Sequence, residues 1–269
     1  MSRISDAFRA IRADGHRALV AYLTAGDPSL DATGELLVAV QQAGADIIEI
    51  GVPFSDPTAD GPTIQRASMR SLRNGTTLDA ILDMVEQLRP RLSIPLVLFG
   101  YFNPFMKYGV ARFSDRARRA GVDGILVVDL PFEEAGEMRR YTDRAGIDFI
   151  NLVSPVSAGA RLQKVVKGAS GFLYYISVTG VTGARDTLPS DMEERIASIR
   201  DITDLPVTVG FGIADPQTAR RVGAVADGVV VGSALVSVIE RNGGNREELL
   251  REVGRLVSAL KAPLRSLNT

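Results

Sequence analysis

Apolar positions along the chain gather into short, nearly unbroken runs rich in β-branched residues: Ala18 to Leu23, Asp46 to Ile50, Leu96 to Phe99, Gly124 to Val128, Phe149 to Val153, Phe172 to Ile176, Val207 to Val209 and Gly228 to Val231. Between them lie segments whose apolar residues recur at helical spacing, among them Thr33 to Ala43, Leu78 to Leu88, Asp115 to Ala120, Glu133 to Ala145 and Ala160 to Val166. A strand apolar on both faces is buried on both faces, and a helix in each crossover forces parallel pairing. Eight such strands predict an α/β fold, a closed (β/α)8 barrel. An open doubly wound sheet competes with it, but the count of eight and the absence of a GxGxxG after the first run favour the barrel. An extra helix over Ser5 to Ala13 is expected to cap the barrel floor, and a short extra helix is expected before the last one. With no repeat, linker or low-complexity tract, residues 1–269 read as a single barrel domain.

Composition narrows the chemistry. A formal net charge of -1, with both signs spread along the chain, argues against a nucleic-acid surface, which needs clustered phosphate neutralisation. The first twenty residues are charged every few positions and no twenty-residue apolar run follows, so a cytoplasmic location is expected. The absence of cysteine excludes disulfides and thiolate chemistry, and one histidine, His16, read as a surface residue, cannot build a multi-histidine metal site. Lys107, Lys164, Lys167 and Lys261 are the only lysines and none closes a strand run, which speaks against a Schiff base. No metal site is expected, and carboxylates are left as the groups able to move protons.

In such a barrel the working groups stand at the C-terminal strand ends. Glu49 is a carboxylate inside the apolar run Ile47 to Gly51; directed into the barrel mouth it would be desolvated and hold a proton near neutral pH. The bland alternative is a Glu paired with a cation at the rim. The loop Gly51 to Pro62 adds Asp56 and Asp60, which either complete a two-carboxylate site or cap turns and the short helix starting near Pro62. Glycine-rich turns at Gly180 to Ala184, Gly210 to Ile213 and Gly232 to Ala234 include the ends of strands seven and eight, where barrels present backbone N–H groups to phosphate. Taken singly, each turn also fits ordinary backbone geometry.

The run IIEIGVPFSDPTADGPTIQRA (Ile47 to Ala67) resembles the signature of the tryptophan synthase α family. The likeness extends over LTAGDP (Leu23 to Pro28), Asn103 and Pro104, GVDGILVVDLP (Gly121 to Pro131), YYISVTGVTGAR (Tyr174 to Arg185), VGFGI and VGSALV, and so covers essentially the whole chain. It implies retro-aldol cleavage of indole-3-glycerol phosphate to indole and glyceraldehyde 3-phosphate, with Glu49 as proton donor and acceptor and Asp60 stabilising the cationic indolenine. By the same match Tyr174 lines the pocket, and Thr182 belongs to a loop that closes toward Asp60. Gly183, Phe211, Gly212, Gly232 and Ser233 match the phosphate cradle, while Tyr22, Ile64, Phe99, Leu126 and Leu152 are expected as indole walls. The implied partner is a pyridoxal-phosphate-dependent β subunit in an α2β2 heterotetramer, with Asp56 as a contact and no cofactor in this chain. Thr58 stands where the family usually has leucine, which bears on partner coupling more than on chemistry. A free-standing indole-glycerol phosphate lyase, an allosteric activator of a β partner and an isomerase on the same barrel are the competing readings.

Overall fold

The computed structural model describes residues 2–155, 157, 159–176, 191–210 and 212–267. Among them the strands are β1 (Ala18–Thr24), β2 (Ile47–Gly51), β3 (Leu96–Gly100), β4 (Gly124–Val127), β5 (Asp148–Phe149), β6 (Asn151–Val153), β7 (Leu173–Ile176), β8 (Val207–Gly210) and β9 (Gly228–Val231). All pair in parallel, in the order β5-β4-β3-β2-β1-β9-β8-β7-β6. The two ends of that list are β5 and β6, which are consecutive in the chain and parted only at Ile150. One half pairs with β4 and the other with β7, so the interrupted strand closes the ring. The run read as one strand, Phe149 to Val153, is thus a single stave, the fifth in chain order, of an eight-stave closed barrel.

Side chains alternate along each strand, and the alternation sorts them into two cores. Ala18, Val20, Ile47, Val97, Leu126, Ile150, Phe172 and Val230 fill the barrel interior, with Phe99, Leu152 and Tyr174 packed on them. Leu19, Ala21, Ile48, Ile50, Leu98, Ile125, Val209 and Val229 face outward into the layer beneath the helices. This double burial is why the strands read as continuous apolar runs. Each fully buried aliphatic side chain contributes roughly 1.5–3 kcal/mol.

Helix α1 (Arg3–Ala13) starts at Ser2, whose hydroxyl accepts the Ser5 N–H at 3.2 Å, and it turns Ile4 and Phe8 into the interior core. Phe8 meets Phe172 with ring centroids 5.7 Å apart, so the expected floor cap is in place. Between β2 and β3 the chain forms two helices, α3 (Pro62–Arg73) and α4 (Leu78–Leu88); the helix expected to be short at Pro62 runs for 12 residues. The other crossovers carry α2 (Leu30–Gln42), α5 (Phe102–Tyr108), α6 (Val110–Ala120), α7 (Gly136–Ala145), α8 (Gly159–Lys167), α9 (Met192–Arg200) and α10 (Pro216–Val225). After β9 come α11 (Ser233–Asn242), the expected extra helix, and α12 (Arg246–Lys261). His16, expected at the surface, is half-buried beside the end of α1.

Candidate active site

At the C-terminal ends of the strands lies a cavity of about 270 Å³. Of the residues singled out in the sequence, Tyr22, Glu49, Asp60, Ile64, Phe99, Leu152, Tyr174, Gly212, Gly232 and Ser233 line it. Leu126 does not: it sits one layer deeper in the interior core, and Val128, two positions on along the same side, takes the wall instead. Thr182, Gly183 and Phe211 lie outside the described residues. Asp56 and Thr58 are exposed on the loop between β2 and α3, away from the cavity. Gly210, the start of the glycine-rich turn after strand seven, also lines it, and walls that the sequence did not single out are Ala59, Val128, Ile176 and Val230.

Glu49 stands in the middle of β2, in register with Tyr22 on β1 and Val97 on β3. It is 0% exposed and, among the described residues, neither carboxylate oxygen has a hydrogen-bond partner. The rim ion pair considered for it is absent among those residues. Burial alone pushes its pKa from the ordinary 4.5 up to about 8, because an unpaired anion in an apolar wall is far more costly than the neutral acid. Glu49 therefore holds its proton at neutral pH.

Asp60 reaches the same cavity from the loop. Two tight turns, Thr58 N–H to the Asp56 carbonyl at 2.8 Å and Asp60 N–H to the Pro57 carbonyl at 3.0 Å, bring it back over the barrel. Gln65 on the first turn of α3 donates to the Asp60 carbonyl at 2.9 Å. The N-cap of α3 is Gly61, and no side chain caps that helix, so the capping role considered for Asp60 is not the one it fills. Its carboxylate instead accepts the Tyr101 hydroxyl at 3.1 Å on Oδ2. Burial raises its pKa to about 6, partly offset by that hydrogen bond. Tyr101 escaped the sequence reading; its signal was its place directly after a strand run.

The aromatic walls are arranged by glycines. A side chain at Gly51 would collide with the Tyr22 ring, and one at Gly210 with the Tyr174 ring. Tyr22 meets Phe99 edge to face at 5.2 Å. Burial raises the pKa of both tyrosines, so they present neutral phenols. Also on the cavity lining, Gly212 adopts a left-handed φ of 63°, which favours glycine, and Gly232 precedes α11. The first helical hydrogen bond of α11 runs from Val236 N–H to the Gly232 carbonyl, so the N–H groups of Ser233, Ala234 and Leu235 lie ahead of the ladder, where a helix terminus receives an anion. A neighbouring groove of about 630 Å³ shares Gly212 and Ser233 but contains neither buried carboxylate.

A cavity lined by a proton-holding carboxylate, a second carboxylate and a helix N-terminus suits an apolar ring joined to a phosphate. The family model described as "Tryptophan synthase alpha chain" matches residues 8–265. The chain belongs to the tryptophan synthase alpha chain family. A curated relative of that name from Citrifermentans bemidjiense is 53% identical over 261 residues, covering 97% of each chain, and one from a Thermoanaerobacter species is 41% identical over 264 residues, covering 98% of this chain and 100% of its own. The solved tryptophan synthase subunit alpha of Legionella pneumophila superposes with a TM-score of 0.90 at 36% identity, covering 98% of both chains. The chain is accordingly a lyase of tryptophan biosynthesis that carries the alpha reaction, and an alpha chain works on a small-molecule substrate alongside a beta subunit. Among the described residues no helix is long and apolar enough to cross a membrane.

Proposed function

We propose that the chain cleaves indole-3-glycerol phosphate to indole and glyceraldehyde 3-phosphate with Glu49 and Asp60 as the working pair. The observation that carries this reading is the fully buried Glu49 carboxyl on the cavity wall, without a hydrogen-bond partner among the described residues and protonated at neutral pH. Glu49 gives its proton to indole C3, which turns the ring into a cationic indolenine and creates an electron sink. Asp60, anionic near the ring N–H, stabilises that cation. The carboxylate left at Glu49 takes the proton from the hydroxyl on the carbon attached to C3. The carbon–carbon bond breaks, the aldehyde forms, and Glu49 is protonated again. No metal or imine enters the sequence.

Tyr22, Ile64, Phe99, Leu152 and Tyr174 supply the indole walls, and Gly212, Gly232 and Ser233 with the start of α11 hold the phosphate. A cavity of about 270 Å³ is on the scale of a single small-molecule ligand. Indole then passes to a pyridoxal-phosphate-dependent beta subunit in an α2β2 assembly in the cytoplasm, with the exposed Asp56 on the facing loop and no cofactor bound in this chain.

The test is Glu49→Gln, which keeps shape and removes the transferable proton. Steady-state cleavage should fall by at least about 10²-fold, the scale of a general acid/base, while substrate binding survives. A variant that keeps a substantial part of the wild-type turnover removes Glu49 from the role.

A further inference from the structure

The loop bearing Asp60 is tied to the barrel through one phenol. Tyr101 follows β3 and is 3% exposed, its ring resting against Phe54 of the same loop with centroids 5.0 Å apart. Its oxygen accepts the Ala59 N–H at 3.0 Å and lies 3.1 Å from Asp60 Oδ2. A phenol has one proton to give. With the Ala59 N–H occupying a lone pair, that proton is directed to Asp60, and the incoming N–H polarises the O–H and strengthens the bond it donates.

We propose that Tyr101 is a positioning residue for the reaction: its hydroxyl holds Asp60 through Oδ2 and so directs Oδ1 to the ring N–H of the substrate. The proposal rests on the reading of Asp60 as the anion beside the indole nitrogen. A mere loop strut would need only the ring, which already packs on Phe54, and would gain nothing from a hydroxyl aimed at the carboxylate. The same bond also opposes the upward push of burial on the Asp60 carboxyl and keeps it ionised at lower pH. Among the described residues the other ionisable groups facing Asp60 are Tyr22 and Tyr174, Glu49 shares its cavity, and Asp129 faces Tyr101. Burial keeps the two cavity tyrosines neutral and Glu49 protonated around pH 6, so the acid limb of the rate profile reports Asp60.

The experiment compares wild type with Tyr101→Phe and with 3-fluorotyrosine at position 101, a near-isosteric and stronger donor. Ala59 is exposed, so water replaces the hydroxyl at its N–H and Tyr101→Phe retains its loop packing. In that variant kcat should fall about tenfold, the scale of one hydrogen bond to a charged group, with KM unchanged. The acid limb of kcat/KM should move to higher pH in Tyr101→Phe and to lower pH with fluorotyrosine. Added to Asp60→Asn, Tyr101→Phe should cost nothing further. An unmoved acid limb, or losses that multiply in the double variant, overturns the proposal; should Tyr101→Phe not fold, the fluorotyrosine shift decides alone. Asp60→Asn cleaving at the wild-type rate would instead overturn the reading of Asp60 itself.

Discussion

Both ends of the barrel bury carboxylates, and the two ends treat them differently. On the floor, Asp46, Asp123 and Asp227 each stand just before a strand and accept an N–H from the first or second residue of a neighbouring strand: Leu19 at 2.6 Å, Leu96 at 2.9 Å and Val207 at 2.9 Å. Each also meets a cation, Lys261 for Asp46, Arg3 and Arg89 for Asp123, Arg12 and Arg200 for Asp227. At the mouth Glu49 has no partner among the described residues and Asp60 has the Tyr101 hydroxyl. Burial alone does not separate the two sets: Asp46 and Asp227 are half-buried, but Asp123 is 8% exposed against 7% for Asp60. Partnership does. A carboxylate given N–H groups and cations ties strands together, whereas one left without them among the described residues, as Glu49 is, holds its proton at neutral pH. Burial also raises the pKa of Asp123, against the pull of Arg3 and Arg89, and of Asp148, whose Oδ2 has no partner among the described residues, yet both stand at the strand N-termini, away from the cavity.

The contrast breaks if floor and mouth respond alike. The largest effect expected on the floor is from Lys261→Met, because Lys261 is 3% exposed and its ammonium donates to Asp46 at 2.6 Å and to the Arg17 carbonyl at 2.9 Å. Removing one partner of a buried pair costs about 3 kcal/mol, so denaturant unfolding should shift strongly while kcat below the transition stays at the wild-type level. A loss of turnover rivalling that of Glu49→Gln in a still-folded Lys261→Met protein would erase the distinction.

A smaller effect sharpens it. Because the folded protein holds the Glu49 proton up to about pH 8 and the unfolded chain releases it near the ordinary 4.5, the native state binds more protons between those values. Stability contributed by the neutral acid is complete below the lower value and is lost as pH rises through the upper one. Glu49→Gln lacks this loss, so its Tm should gain on wild type by a few degrees across that window. A difference in Tm that does not vary with pH would mean that Glu49 ionises as an ordinary carboxyl.

The smallest effect concerns the loop that spans both behaviours. Asp56 accepts the Ser55 hydroxyl at 2.7 Å, is exposed and stands outside the cavity. Asp56→Lys should leave cleavage by the isolated chain near wild type and weaken the mutual activation with a beta subunit, measured by titrating one chain with the other. Slowed cleavage in the isolated chain would assign Asp56 to the chemistry; wild-type cleavage unmoved by a saturating beta subunit would favour a free-standing lyase.

The residue pattern by itself determined the barrel, because doubly buried strands must be apolar throughout and helices in the crossovers must show their period. It also determined which carboxylates to inspect: Glu49 interrupts an apolar run, and Asp60 sits in a loop at a strand end. Strand breakage at Ile150, the full length of α3 and the existence of α5 depend on packing rather than on local preference, and were not legible. The same holds for the floor of the cavity, where Leu126 and Val128 share a face and only the depth of the interior layer separates core from wall. Whether Glu49 stood alone or as half of an ion pair, and whether Asp60 capped a helix or faced the cavity, turned on which groups came within hydrogen-bonding distance. Such partners arrive from other elements, as Tyr101 does from the end of β3 across 41 positions of sequence, and a charge's neighbours across space are set by the tertiary fold.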